Sequence, residues 1–550
     1  MSPPPPPRPT RPHLSRRALP VRIRLPGWAL IVALGCVRAE ARGQSAPADD
    51  LPTLRVATGG AVIVDEPKVL VRLTANHPDG TPGYAGPAGI EIRGRSSQAF
   101  PKKSYGLELR GVDGRDSSAA LLGLPPDDDW VLHGPYADRA LLRNALSYAT
   151  ARATGRYAPR TRYCHLEIDG AYQGVYLLTE RVQPAPHKVD ITPAPPATAP
   201  ERGDYLFAVD FEREGPASGW VSPHAGPRDG DYRFKYQYVR PRPGEITAPQ
   251  ARYLEAWVGD LEAALLADDD DFGLDLEEFL DVDAWIDYVL VNELAFDVDA
   301  YSGSTFLVKR GGGRLAPGPV WDHNLAWGNA DFAWGDPGAC ERTAGFAIDS
   351  RQTCVTKLVP VVFGEVWRRP EVRLRAARRW AELRRGAFGP GLDARLDSLA
   401  AALAVAQDRN FARWPIHGEY LWPNEFAGET WRRDVDYLAS WVARRRSWLD
   451  GAFARLDAEL SPGDRPEGPS WRLAPNPASS SAGAVVAFDR PLRSAATVEI
   501  LDASGRVVRS RTVAGPYRSR PLGRGLSPGL YVLRVAGADP SVRRLVVSGA

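Results

Sequence analysis

The hydrophobic periodicity of this 550-residue chain changes character twice, and each change limits the folds open to it. From Leu51 to about Pro243, short apolar runs alternate with turn residues. From about 247 to 460, apolar positions recur at helical spacing. Beyond 461, short alternating runs return among Pro, Gly and Ser. A β-rich half followed by a helical half lacks the regular strand–helix alternation of a parallel sheet. It predicts an α+β, two-lobed body over 51–460, with halves at 51–243 and 247–460. Residues 461–472 read as a linker, and 473–550 as a separate small β-sandwich.

Within the amino half, Ala61–Val64, Gly89–Arg93 and Ser104–Leu109 read as strands. Arg162–Ile168 and Gly174–Leu178 read as a hairpin around Asp169-Gly170. One helical stretch interrupts near 139–154. In the second half, Leu254–Leu266, Val282–Phe296, Val372–Arg385 and Val435–Leu456 carry the clearest helical spacing.

The amino terminus reads as an address. Arg16, Arg17, Arg22 and Arg24 precede an apolar run from Trp28 to Val37, and Ala39-Glu40-Ala41 offers a cleavage site. That order predicts a secretory signal peptide over 1–41, and the run is too short to span a bilayer. Leu34-Gly35-Cys36 loosely resembles a lipoprotein box, so lipidation at Cys36 is the alternative. No later stretch reaches 18 uninterrupted apolar residues, so no transmembrane segment is expected in the mature chain. Export permits a Cys340–Cys354 disulfide, with Cys164 left free and buried.

Charge excludes one class of partner and singles out a few residues. With 69 basic and 67 acidic side chains the formal charge is +2, without the basic excess of a nucleic-acid binder. Only 7 of the basic residues are lysines, and two of them, Lys102 and Lys103, are adjacent. They follow the turn Arg93-Gly94-Arg95-Ser96-Ser97-Gln98, whose backbone N–H groups and hydroxyls suit a phosphate. Strand alternation predicts Lys103 on one face with Tyr105 and Leu107, and Lys102 on the other, with Lys103 favoured as the inward one.

Helix 282–296 runs into Asp297-Val298-Asp299-Ala300-Tyr301-Ser302-Gly303-Ser304. A strand (Thr305–Lys309), a Gly311–Gly313 turn and a second strand ending in Val320-Trp321-Asp322-His323-Asn324 follow. Such a hairpin returns Asp322 toward Asp299, and two converging carboxylates suit Mg²⁺. The competing reading makes Asp299 a turn cap and Asp322 a structural acid. Asp271-Phe272-Gly273 spells a kinase metal motif, but it precedes the loop it should follow and sits after three aspartates, so it reads as a solvated turn.

These pieces resemble the CotH family of spore-coat-type atypical protein kinases. The resemblance runs from about 60 to 455 in family order: Arg93–Ser97 with Pro101–Tyr105, Asp129–Leu132, Leu142–Asn144, Gly174–Val182 and Trp321–Asn329. It implies a divergent protein-kinase-like fold that binds ATP with Mg²⁺ (or Mn²⁺) and phosphorylates Ser/Thr of proteins. By that resemblance Asp322 is the metal-binding aspartate, and Asp299 the catalytic base or second metal ligand. Arg93, Ser96, Ser97 and Lys102 or Lys103 hold nucleotide phosphates, with Glu180 as the lysine's ion-pair partner. Arg143 and Asn144, on the amino-half helix, either brace the site or have a structural role. Two positions depart from the family: Ser304 stands where an amide metal ligand is usual, and Asn324 where a second acid is common. Ser304 is a poorer metal ligand than an amide, and Asn324 in place of a carboxylate reduces the charge offered to a metal. A non-catalytic surface protein on the same fold is the alternative, and a carbohydrate-active protein lacks a suitably placed carboxylate pair.

The last eighty residues resemble the sorting domain of type IX secretion substrates. Pro475-Asn476-Pro477, Gly529-Leu530-Tyr531 and the basic end before Leu545-Val546-Val547 carry the likeness. It implies the type IX machinery as partner and a secreted or outer-membrane surface location.

Overall fold

The computed structural model describes residues 51–210, 218–225, 233–267, 276–330, 343–349 and 359–461. Of the carboxy-terminal stretch it describes 471–479, 483–488, 496–502, 506–513, 519–522, 526–536 and 541–548. The expected signal peptide, Cys36, the Cys340–Cys354 pair and Asp271–Gly273 lie outside these residues. The chain is α+β.

The amino stretch contributes β1 (Thr53–Ala57), β2 (Val69–Asn76), β3 (Pro82–Arg93), β4 (Ser104–Leu109), β5 (Ala119–Leu121), β6 (Leu124–Asp127), β7 (Asp129–His133), β8 (Thr161–Ile168) and β9 (Ala171–Glu180). Seven of them close a barrel in the order β1-β2-β3-β4-β7-β9-β8, and β5 pairs with β6 as a separate ribbon. Closure leaves no open edge and buries alternate side chains inward: Leu54, Leu73, Ile90, Leu107, Trp130, Leu166 and Leu178 fill its core. Cys164 is free and sits in this core, as expected, where burial pushes its thiol up to about 12. The β8–β9 hairpin turns at Asp169 (φ 47°) and Gly170 (φ 77°), as the sequence predicts.

One strand expectation fails. Ala61–Val64 is an irregular loop with Val62 and Val64 exposed. Its apolar residues find no neighbouring strand; Ala61 N–H donates to the Thr58 carbonyl (3.3 Å) and the Val64 carbonyl accepts from Ile92 N–H (2.7 Å). Propensity without a pairing partner does not make a strand.

A second sheet joins what the periodicity separated. β10 (Tyr205–Val209), β11 (Gly219–Ala225) and β12 (Arg233–Arg240) pair with the hairpin β13 (Thr305–Lys309) and β14 (Leu315–Pro317), in the order β11-β12-β10-β13-β14. The strand expected to run to Trp321 ends at Pro317, because Pro317 and Pro319 have no N–H to donate to the ladder.

Helices enclose this sheet: α1 (Arg143–Arg152), α2 (Ala248–Ala267), α3 (Leu276–Phe279), α4 (Val282–Ala295), α5 (Val361–Arg368), α6 (Pro370–Arg384), α7 (Pro390–Leu403), α8 (Ala406–Arg413) and α9 (Trp431–Leu460). The four strongest helical patterns correspond to α2, α4, α6 and α9. α4 is buried almost throughout, from Val282 to Ala295, and is capped by Asp281, whose carboxylate accepts from Ala284 N–H. Among the described residues no helix is long and apolar enough to cross a membrane. The carboxy-terminal strands β15 (Trp471–Ser479), β16 (Gly483–Phe488), β17 (Ala496–Leu501), β18 (Val507–Val513), β19 (Ser519–Leu522), β20 (Gly529–Ala536) and β21 (Ser541–Ser548) hydrogen-bond as one sheet, ordered β18-β17-β20-β21-β15-β16-β19.

Helix α8 is bolted onto barrel strand β9. Arg413 Nε donates to the Tyr172 carbonyl (3.0 Å), Trp414 Nε1 to the Gln173 carbonyl (2.8 Å), and Val175 N–H to Asn410 Oδ1 (3.1 Å). Gly174 allows this approach: its φ is 106°, and a Cβ there would lie 2.7 Å from Asn410 Oδ1 and 3.0 Å from Trp414 Nε1. Gly174→Ala is therefore expected to cost about 1–3 kcal/mol, from backbone strain plus the clash. A chemical-denaturation midpoint unchanged from wild type would contradict this.

Candidate functional site

The site is assembled by three strand or loop ends. β10 delivers Asp210, the α4–β13 loop delivers Asp297 and Asp299, and the segment after β14 delivers Trp321 and Asp322. Antiparallel pairing sets Val209 opposite Thr305, so the next residues out, Asp210 and Ser304, are neighbours. Ser304 N–H reaches Asp210 Oδ1 at 3.4 Å.

Asp322 is accessible to solvent yet ringed by protein atoms, as a cleft-floor residue is. Its carboxyl is raised to about 6, first by surrounding protein, then by the Asp299 and Asp210 charges, with Arg93 opposing. The carboxylates of Asp210, Asp299 and Asp322 offer the oxygen ligands that a hard divalent cation takes. Asp299 is near enough for its charge to act on Asp322.

The backbone is strained where these acids sit. Of eight non-glycine residues with positive φ among the described residues, Phe296, Tyr301, Ser304, Asp322 and Trp327 fall within 296–327. Asp322 itself is left-handed (φ 61°, ψ 46°). Such conformations cost roughly 1–2 kcal/mol each and persist only where the surroundings impose them. Helix α1 imposes this one. Residues i and i+4 share a helix face, as Arg143 and Ser147 do, and together with Tyr148 on the adjoining side they grip the loop. Arg143 Nε donates to the Ala326 carbonyl (3.1 Å), Ser147 Oγ accepts from Trp327 Nε1 (2.7 Å), and Tyr148 Oη accepts from Asp322 N–H (3.1 Å). Arg143 is held in turn by Asp138 (2.5 Å). The bracing expected of Arg143 is present.

His323 is buried, 3.0 Å from Ser147 Oγ through Nδ1 and 3.8 Å from Asp297 through Nε2. Burial pushes its imidazole down to about 3, so it stays neutral. Oriented with its nitrogen toward the acid, the Asn324 amide donates to Asp322 Oδ1 at 2.8 Å. The residue that replaces the family's second acid therefore aims the first one.

The cationic residues divide. Arg93, at the end of β3, feels Asp322 and lies 5.7 Å over the Trp321 ring. Lys102 is the inward lysine, correcting the expectation for Lys103: the β3–β4 ladder starts at Arg93–Ser104, so strand alternation does not extend back to either lysine. Lys102 Nζ is fully enclosed, donating to the Val175 carbonyl (2.7 Å) and Asn410 Oδ1 (2.8 Å), and burial lowers it to about 7. It completes the α8 attachment. Lys103 is half-exposed and donates to the Gln98 carbonyl (2.6 Å), closing the turn that carries Ser96 and Ser97. Glu180 pairs with Arg160 (2.5 Å) and with neither lysine, because the β9 end that carries it faces the α1–β8 loop.

Sequence reasoning missed Asp210 and Tyr148. Asp210 ends the apolar run Tyr205–Val209 just as Asp322 ends its own segment, a signal present in the sequence; its nearness to Ser304 needed the β10–β13 pairing.

A family model described as CotH kinase protein matches residues 90–449. No curated protein matches the chain.

Proposed function

Because the chain belongs to the CotH kinase protein family, we propose that it is an exported atypical protein kinase that moves the γ-phosphate of ATP to Ser/Thr hydroxyls of secreted or surface proteins. The observation that carries this reading is that the charges of Asp299 and Asp210 act on the solvent-exposed Asp322 carboxyl, with Arg93 opposing them. Mg²⁺ or Mn²⁺ fits them, since mutually repelling carboxylates gain most from a hard cation; bound there, it neutralises charge on the transferring phosphoryl group. Asp322 and Asp210 would hold the ion. Asp299 would hold it too or accept the substrate hydroxyl proton. Arg93, steadied on Trp321, supplies the cation nearest the acids for an anionic phosphate. Ser304 contributes its backbone N–H to Asp210 and orients it. The leader at 1–41 and a sorting role for the carboxy-terminal sheet, with the type IX machinery as partner, place the protein at the cell surface in this reading.

The second reading, a non-catalytic binding protein, is favoured by one observation: of the two lysines that the family resemblance offers for phosphate, Lys102 is consumed by Val175 and Asn410 and Lys103 donates to the Gln98 carbonyl. Incubation with γ-labelled ATP and Mg²⁺ separates them. Labelling of protein hydroxyls that a chelator abolishes supports the kinase; a melting-temperature rise with ATP and Mg²⁺ but no labelling supports the second.

The raised Asp322 carboxyl gives a pH prediction. In the metal-free protein the folded state binds more protons than the unfolded one between about pH 4 and 6, so stability falls as pH rises through that window. Metal binding requires the ionised form, so the Mg²⁺-induced melting shift should fade below pH 6. Thermal scans across pH 4.5–7.5 with Asp322→Asn as control check both: the variant should lose the slope.

A further inference from the structure

A cavity of about 220 Å³ lies apart from the acids, between the α1–β8 loop, α4 and the β13–β14 hairpin. Ala284, Tyr288 and Val291 of α4 form one wall, with Val308 and Val320 opposite; all five are buried. Arg156, Asp190 and Arg310, all exposed, mark the mouth. None of Arg93, Asp210, Asp299 or Asp322 lines it.

Size and charge define what fits. A 150 Å³ apolar cavity holds benzene, and drug-sized ligands need upward of about 300 Å³. The space here suits one bicyclic ring system and excludes a whole nucleotide. Three cations (Arg156, Lys188, Arg310) face three acids (Asp190, Asp281, Asp287). Arg156 already pairs with Asp287 (3.0 Å), and Lys188 with Asp127 outside the cavity. The balance exerts no net pull on an ion, while the inner walls favour an apolar body.

We propose that this cavity is a binding site for a small, uncharged, planar aromatic molecule, distinct from the nucleotide and metal site. It touches that site through two relays. Val320 stands two residues before Asp322. Tyr288 Oη is 3.3 Å from Thr305 Oγ1, beside Ser304. A ring in the cavity would rest on Val320 and Tyr288, next to the segments that carry the acids.

Indole is the probe. Thermal shift of the full chain with indole near its solubility limit should give a rise of about 1–2 °C, the size expected for a protein this long at several times Kd. The rise should vanish in Ala284→Phe and Val291→Phe, two independent variants that fill the space. It should persist in Asp322→Ala and add to the shift from ATP and Mg²⁺, which separates failure of this site from failure of the kinase reading. No rise overturns the proposal, as does a rise that survives in a folded filled variant. Loss of the indole shift on adding ATP and Mg²⁺ also overturns it, since the ring space would then belong to the nucleotide. A much larger shift with indole-3-acetate than with indole would overturn the uncharged ligand class.

Discussion

Asp322→Ala is expected to lower ATP- and Mg²⁺-dependent labelling on the order of 10³-fold, as loss of a group that stabilises transition-state charge does. The fold should survive. Asp322 is at a cleft floor, its carboxyl is raised by Asp299 and Asp210, and removing it relieves that repulsion. Its backbone N–H still reaches Tyr148 Oη, so the loop stays attached to α1. The metal-free variant should therefore melt no lower than about a degree below wild type, while its Mg²⁺-induced shift disappears. Asp299→Ala should lose activity comparably. Labelling within threefold of wild type in both variants would remove the acids from the reaction. Circular dichroism and the metal-free melt confirm that the comparison is between folded proteins.

Arg445→Ala is expected to be the most destabilising of the substitutions considered. Arg445 and Glu293 are both fully enclosed, 3.2 Å apart. The guanidinium also donates to the carbonyls of Glu293 (2.8 Å), Thr343 (2.9 Å) and Gly345 (2.7 Å). Glu293 accepts from Tyr301 Oη (2.9 Å) and from the N–H groups of Ala347 (2.7 Å) and Ile348 (2.8 Å). Burial outweighs pairing for each partner: the carboxyl is raised, and the guanidinium is lowered to about 10. Such a pair adds little net stability, yet breaking it strands a buried charge and costs about 3–5 kcal/mol. Arg445→Ala should therefore lower the urea midpoint sharply, and Tyr301 should lose its place in the loop that carries Asp299. Glu293→Gln combined with Arg445→Met should recover much of the loss, because no charge is then left unpaired. A double variant as unstable as the single one would show that the carbonyl contacts, not the charge, dominate.

Where the sequence could be read, local periodicity did the reading. α2, α4, α6 and α9 bury faces that repeat every turn, and the Asp169-Gly170 hairpin follows from two residues that tolerate positive φ. Ala61–Val64 failed because a strand needs a partner, and nothing local to those residues says whether one arrives. Lys102 and Lys103 show the same limit: alternation gives faces only within a ladder, and the ladder begins one residue later. At the site, Asp299 and Asp322 were legible because one hairpin joins them in sequence. Asp210 was not, since the pairing that brings it to Ser304 spans 94 positions. The grip of α1 was half legible: Arg143 lies in a motif, whereas Ser147 and Tyr148 matter only once the helix is laid against 322–327.

The attachment of α8 to β9 bears on how a ligand could enter. A hinged enzyme closes around its substrate, and part of the binding energy goes into that closure. Here Asn410 is shared between Lys102 and Val175, and Trp414 and Arg413 lock onto the two residues before Gly174. The barrel and the helices are thus fixed to each other by the same event that folds them. The Val175 amide proton, held by Asn410 Oδ1, should exchange only by global unfolding. In this region adaptation to a ligand would have to come from segments other than α8 and β9, which these bonds hold together.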